Sequence, residues 1–297
     1  MREASLGHRI EAGGPSAAPL QVAPAGAAAA AKGVAPLSAY VPRIALQWMA
    51  DSPDERHRAI EGSLAFVDVS GFTALTERLA ARGRAGAEEI NDIIGSTFTE
   101  LARLAAHDGA DLLKWGGDAA LLLFEGPSSA ERAARSAWRM VEAMARAGRL
   151  RTSAGRVALR VSVGVHSGRL ELFLLGELHR ELIVAGPGAT STAKMEATAA
   201  AGEVVVSLST AALLAAAGEE AVLGERKGDG IVLRDEPRPR GDWGSPVLRR
   251  ADGDEAAALL MPERARRHLL AGGEQAEHRP VAVGFVQVSG LDAVVEE

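Results

Sequence analysis

The chain has 297 residues, 47% of them hydrophobic, and its 33 Lys and Arg stand against 39 Asp and Glu for a net charge of −6. That is enough apolar material for one large or two ordinary domains, while the acidic balance excludes the general basic footprint of a nucleic-acid binder. Cysteine is absent, which excludes disulfides, thiolate metal sites and a cysteine nucleophile and fits a reducing, cytoplasmic compartment. No apolar run approaches the ~20 residues of a membrane span, and the N-terminus has no apolar signal-peptide core.

Residues 1–35 are mostly Ala, Gly and Pro and bury too little apolar area to offset ordering, so a disordered leader is expected. A short amphipathic segment with Tyr40, Val41, Ile44, Leu46 and Trp48 follows, expected to dock on a domain edge. Patterning then predicts a strand from Ser63 to Val69, a helix from Thr73 to Ala81, and a longer helix with Ile90, Ile94, Phe98, Leu101 and Leu104 on one stripe. A hairpin follows: residues 111–115, a Gly116-Gly117 turn, and residues 118–124. Further expectations are a helix over 129–146, strands over 157–165, 170–174 and 181–185, a helix over 189–199 and a strand over 203–207. This order, β-α-β-β-α-β with additions, predicts a ferredoxin-like α/β sandwich over 36–214. Residues 215–278 read as a poorly patterned connector. Residues 279–297 read as the start of a second copy, because Phe285-Val286-Gln287-Val288-Ser289-Gly290-Leu291 repeats Phe66-Val67-Asp68-Val69-Ser70-Gly71-Phe72 with an amide in place of the acid.

Two motifs carry chemistry. Asp68 ends an apolar strand and runs into a Ser-Gly-Phe-Thr turn that opens a helix, where free backbone N–H groups favour phosphate. Asp118 sits in the hairpin Lys114-Trp115-Gly116-Gly117-Asp118. Each alone also fits a bland reading, a helix-capping acid or an ordinary Gly-Gly hairpin. Brought to one end of one sheet, the two acids form a site for two divalent cations, Mg²⁺ or Mn²⁺.

On this pair of motifs, residues 62–210 resemble the class III adenylyl/guanylyl cyclases, with the start of a second such domain at 281–297. The resemblance implies that Asp68 and Asp118 supply the metal carboxylates, that the Val69 carbonyl adds a ligand, and that Ser70, Gly71, Phe72 and Thr73 hold the triphosphate. Lys114 falls where adenine-selecting members keep a lysine, which implies ATP as substrate and cyclic AMP as product; a solvated strand-end lysine is the other reading. A strict two-residue turn would put Lys114 and Asp118 on opposite faces of the hairpin, so a wider or twisted loop is expected if both serve one site. His166, in Gly164-Val165-His166-Ser167-Gly168, is expected to be structural.

Departures from the family pattern gather in one place. Where members carry a ribose-orienting Asn and a transition-state Arg, this chain has Thr190 and Lys194, and a lysine lacks the forked geometry of arginine. Ile183 occupies the place of a polar base-selecting residue. Because class III sites form between two domains, the resemblance implies the first, metal-binding half of a tandem adenylyl cyclase similar to the soluble, bicarbonate-responsive group. Its partner would be a second cyclase domain, in the same longer protein or in a dimer. A guanylyl cyclase and a non-catalytic nucleotide-sensing or dimerisation module remain alternatives; a diguanylate cyclase is disfavoured by Ala119-Ala120 after the hairpin acid.

Overall fold

A computed structural model of the chain describes residues 36–238 and 253–271. The expected leader, the 279–297 repeat with Gln287, and residues 239–252 and 272–278 of the expected connector lie outside the described residues.

After a 3-10 turn at Leu37–Tyr40, the elements run α1 (Arg43–Asp51), β1 (His57–Ser70), α2 (Phe72–Ala80), α3 (Arg84–His107), β2 (Asp111–Gly116), β3 (Ala119–Glu125) and α4 (Ser129–Ala147). There follow β4 (Arg149–Thr152), β5 (Gly155–Ala158), β6 (Arg160–Leu175), β7 (Glu181–Ala185), α5 (Pro187–Thr198), β8 (Val204–Ser207), α6 (Leu208–Ala216), β9 (Leu223–Lys227), β10 (Gly230–Leu233), α7 (Gly253–Leu259) and α8 (Glu263–Leu270). The main sheet has the order β2-β3-β1-β6-β8-β10-β9, with β7 also on β6. Within it β2, β3, β1 and β6 are antiparallel neighbours. That is the arrangement expected of a ferredoxin-like βαββαβ core.

Alternation along β1, the central strand, explains the layering. Ala65, Val67 and Val69 face a core closed by α2, α3, α4 and α6, which contribute Leu75, Leu79, Leu101, Leu104, Met140 and Leu214. Leu64 faces the opposite way, into a second core with Leu123, Leu170, Leu172 and Leu174. The segment expected at a domain edge closes that second core: α1 inserts Trp48, fully buried, and α7 adds Ala257, followed by Leu260 just past its end. Two acceptor oxygens of Asp111, on β2, cap α1 by taking the N–H groups of Arg43 and Ile44 at 2.9 and 2.7 Å.

Three expectations are corrected. The strands expected at 157–165 and 170–174 are replaced by the short β5 and one continuous β6. The polar stretch His166–Arg169 interrupts the apolar pattern but not the ladder, since Ser63 pairs with Ser167 and their hydroxyls meet at 2.7 Å. The connector expected from 215 does not begin there, because β9 and β10 extend the sheet beyond β8. Most of its charged residues face solvent, Glu219 being the buried exception, while Val222 and Leu233 join the first core, too few apolar positions to be read as strands. The third correction concerns the hairpin turn.

Candidate active site

Asp68 lies near the end of β1, opposite Ala119 on β3 and Ser162 on β6. The pairing of Gly116 with Ala119 makes Gly117 and Asp118 the two central turn residues, with Gly117 at φ 70°, instead of the expected Gly116-Gly117 turn. The Asp118 carbonyl accepts the Val69 N–H at 3.0 Å, which staples the hairpin tip to the end of β1. Both acids therefore come to one end of the sheet. Burial first, and the Asp118 charge second, push the Asp68 carboxyl above its ordinary range. That is the signature of two like charges held close in a partly desolvated place.

The turn after β1 is shaped by Gly71, whose φ of 89° suits glycine and whose Cβ, if present, would stand 2.9 Å from the Ala158 carbonyl oxygen. Behind it α2 starts at Phe72 with no side chain capping its N-terminus. The first-turn N–H groups around Phe72 and Thr73 thus have no side-chain cap at the positive end of the helix, where an anion is favoured. Phe72 packs towards Phe98 at 6.2 Å between ring centroids, and Phe98 against Trp115 at 4.6 Å, which ties the turn to the hairpin.

Lys114 is placed by a bulge. Leu112 pairs with Leu122 and Lys114 with Leu121, so Leu113 is an extra residue that switches the strand's facing. The Lys114 ammonium meets the Glu181 carboxylate on β7 at 2.5 Å, both about half exposed. The two line a cleft of about 700 Å³ with Tyr40, Trp115, Leu182 and Met261, and neither Asp68 nor Asp118 lines it. The bulge supplies the twist that a shared site would need, yet Lys114 and the pair Asp68 and Asp118 do not line this cleft together.

The α5 region is also organised. Gly164 on β6 lets the helix lie directly on the sheet, since a Cβ there would clash with the Glu196 backbone nitrogen. Lys194 forms an ion pair with Asp229 in the β9–β10 turn. Thr190 sits in the first turn of α5, and Ile183 is 41% exposed on β7. His166 accepts or donates at Nδ1 to the Ser207 hydroxyl at 3.0 Å, and burial keeps its imidazole below its ordinary pKa, which agrees with a structural part. Sequence reading missed three acids. Glu181 and Asp229 find their lysines only through tertiary contact. Glu196 receives the Ser162 hydroxyl at 3.1 Å, and its carboxyl is raised by burial with a further push from Asp68. The register of Ser162 opposite Asp68 is the only signal that would have found it.

Among the described residues no three His, Asp or Glu side chains come together as a metal cage. Two carboxylates and a main-chain carbonyl beside an uncapped helix N-terminus fit Mg²⁺ or Mn²⁺ nonetheless, because such ions commonly take one or two protein carboxylates and complete their shell with substrate phosphate and water. The mutual repulsion of Asp68 and Asp118 is what a cation would relieve.

The family model described as adenylate and guanylate cyclase catalytic domain matches residues 55–233. Adenylate cyclase type 10 of Rattus norvegicus is 37% identical over 70 residues, 23% of this chain and 4% of that protein. The Homo sapiens protein of the same name is 38% identical over 66 residues, 22% of this chain and 4% of the relative. The chain thus matches a small fraction of the length of these relatives. Among solved structures, the adenylyl cyclase CyaB from P. aeruginosa has a TM-score of 0.50 at 20% identity, covering 64% of this chain and 100% of that one. A bacterial light-regulated adenylyl cyclase has a TM-score of 0.51 at 15% identity, covering 69% and 61%. These two likenesses concern the fold alone. With the match over residues 55–233, more than half of its length, the chain belongs to the adenylate and guanylate cyclase catalytic domain family.

Proposed function

We propose that this domain is the metal-binding half of an adenylyl cyclase that converts ATP to cyclic AMP and pyrophosphate, completed by a second cyclase domain. The observation that carries this reading is the convergence of Asp68 and Asp118 beside an uncapped helix N-terminus. Asp68, Asp118 and the Val69 carbonyl would hold two Mg²⁺ or Mn²⁺ ions, which supply a more acidic 3′-hydroxyl and neutralise charge on the departing phosphate. The Ser70, Gly71, Phe72 and Thr73 backbone orients the triphosphate. The ribose 3′-oxygen forms its bond to the α-phosphorus as the bond to the bridging oxygen of the β-phosphate breaks, and the hydroxyl proton leaves to solvent. Catalysis of this kind is mainly positioning and charge stabilisation.

The remaining groups come from the other domain. Lys194 is a point charge already engaged by Asp229 and cannot reproduce a forked guanidinium. Lys114, in a cleft apart from this chain's acids, would read the base at a site whose acids belong to the partner. A guanylyl cyclase is the second reading, favoured by one observation: the Glu181 carboxylate beside Lys114 offers an acceptor for guanine N–H groups. The absence of cysteine fits a cytoplasmic setting, and among the described residues no helix is long and apolar enough to cross a membrane.

The test is calorimetry of Mn²⁺ and metal–ATP binding to the chain and to its Asp68→Ala, Asp118→Ala and double variants. Metal-dependent ATP binding should vanish in each variant. Unchanged binding in the double variant would remove the metal site and this reading with it.

A further inference from the structure

The two-stranded ribbon β4–β5 stands apart from the main sheet, and its charges are unlike those elsewhere in this acidic chain. Arg151 lies directly opposite Arg156, and Arg149 opposite Ala158, so three guanidinium groups share one face of the ribbon. Like charges in directly opposed positions destabilise a strand pair. Arg160, which follows at the start of β6 opposite Ser70, extends the group. All four are exposed. Among the described residues none of the four makes a side-chain hydrogen bond or an ion pair, whereas the neighbouring Arg146 is paired with Glu142. The nearby acid Glu89 is spent otherwise: it takes both the backbone N–H and the hydroxyl of Ser153, at 2.9 and 2.5 Å. Those bonds anchor the ribbon tip to α3, so the arginines stand on a fixed support.

Behind them is a cavity of about 190 Å³, lined by Arg149, Arg160, Val141, Met144, Leu159 and Gly202, among others, with no carboxylate in its wall. Gly202 has no side chain, and a Cβ built there would lie 3.7 Å from an Nη atom of Arg160, which places that guanidinium over the turn before β8. Two unpaired forked cations at a small, partly apolar cavity, with two more beside them, match the geometry and charge of a phosphate-type oxyanion.

We propose that this cavity is a binding site for a phosphoryl-type oxyanion, held by Arg149 and Arg160 and reinforced by the charge of Arg151 and Arg156. The cavity wall contains neither Asp68 nor Asp118, and binding there needs no metal, although Arg160 stands opposite Ser70 at the end of β1. Two sources share the chemistry, free phosphate or pyrophosphate and the phosphoryl end of a nucleotide.

The test is calorimetric titration of the full chain, in chelator and at low ionic strength, with inorganic phosphate, pyrophosphate and ATP in turn. Arg149→Ala/Arg160→Ala should weaken binding at least tenfold, while the equally charged pair Arg264→Ala/Arg266→Ala on α8 should leave it within twofold. Asp68→Ala/Asp118→Ala, which removes negative charge and no cation, should not weaken this metal-free binding, which separates failure here from failure of the proposed function. Pyrophosphate binding more tightly than ATP assigns the free oxyanion, and the reverse order assigns the nucleotide; either supports the site. No binding of any of the three, or equal losses in the two arginine pairs, overturns it. If the double alanine variant melts early, the single variants Arg149→Gln and Arg160→Gln carry the same test, with a loss of several-fold expected from each.

Discussion

The end of β1 and the first turns of α5 lie on the same sheet, and they have been treated differently. At the end of β1 two carboxylates are held together although burial and mutual repulsion raise the Asp68 carboxyl. On α5 the cation is relaxed: Lys194 is neutralised by Asp229 across an exposed ion pair. Electrostatic conflict is retained at the end of β1 and relieved on α5. A local conflict without compensation within the domain points to a missing component, and a satisfied surface pair does not.

The largest effect should come from rebuilding the relaxed end. The chain alone should turn over near background, because two preorganised transition-state groups are missing, each worth about 10²–10³-fold. Thr190→Asn with Lys194→Arg should therefore raise cyclic AMP production by the chain alone by at least about 10²-fold. Robust activity of the unaltered chain, abolished by Asp68→Ala, would instead prove that two copies suffice and erase the contrast.

Base choice should respond next. Lys114→Glu exchanges a donor for an acceptor and sets a second carboxylate beside Glu181, so ATP selectivity should fall about tenfold or more, in keeping with the cost of an unpaired polar group in a recognition site. Competition assays in the presence of a second domain would measure it, and a ratio equal to that of the unaltered chain returns Lys114 to the solvated surface.

A smaller effect should appear without any substrate. Burial raises the Asp68 carboxyl most and the Asp118 charge adds to it, so Asp118→Asn removes the second of the two causes. A raised acid contributes stability below its unfolded pKa and loses it as pH rises through the folded value. The variant should therefore melt higher than the unaltered chain at neutral pH without metal, and lose the further rise that Mg²⁺ or Mn²⁺ produces. A melting point unchanged in both conditions would mean that the two acids do not interact.

The smallest concerns His166, half-buried on the far side of β6 from the first core and bonded to Ser207. Its imidazole pKa is lowered by burial, so the unfolded chain binds the proton more readily. Its stability contribution is present above the ordinary histidine pKa and is lost as pH falls below it. Denaturant titrations at two pH values should give His166→Gln a flatter pH dependence than the unaltered chain. Parallel curves would mean that the ring titrates freely.

Much of this was legible in residue order. Strand and helix periods identified β1, α3, β3, α4 and β8, because a two-residue or 3.6-residue apolar repeat is a property of the local chain. Asp68 and the Gly-Phe-Thr turn were likewise readable, since a strand-end acid and a left-handed glycine before a helix are adjacent in sequence. What depended on distance was not. That α1 closes the second core through Trp48, that β9 and β10 extend the sheet, and that Leu113 bulges β2 follow from which surfaces were left uncovered and which register satisfied the ladder. Lys114 meets Glu181, and Lys194 meets Asp229, across 67 and 35 residues of chain, the latter separation being 229 minus 194. No short-range pattern records such pairs, because charge acts through space and a sequence motif acts along the chain. The residue types at the two acids were determined by the sequence alone; their convergence, and the separation of Lys114 from them, were decided only when the backbone of Val69 closed on the carbonyl of Asp118.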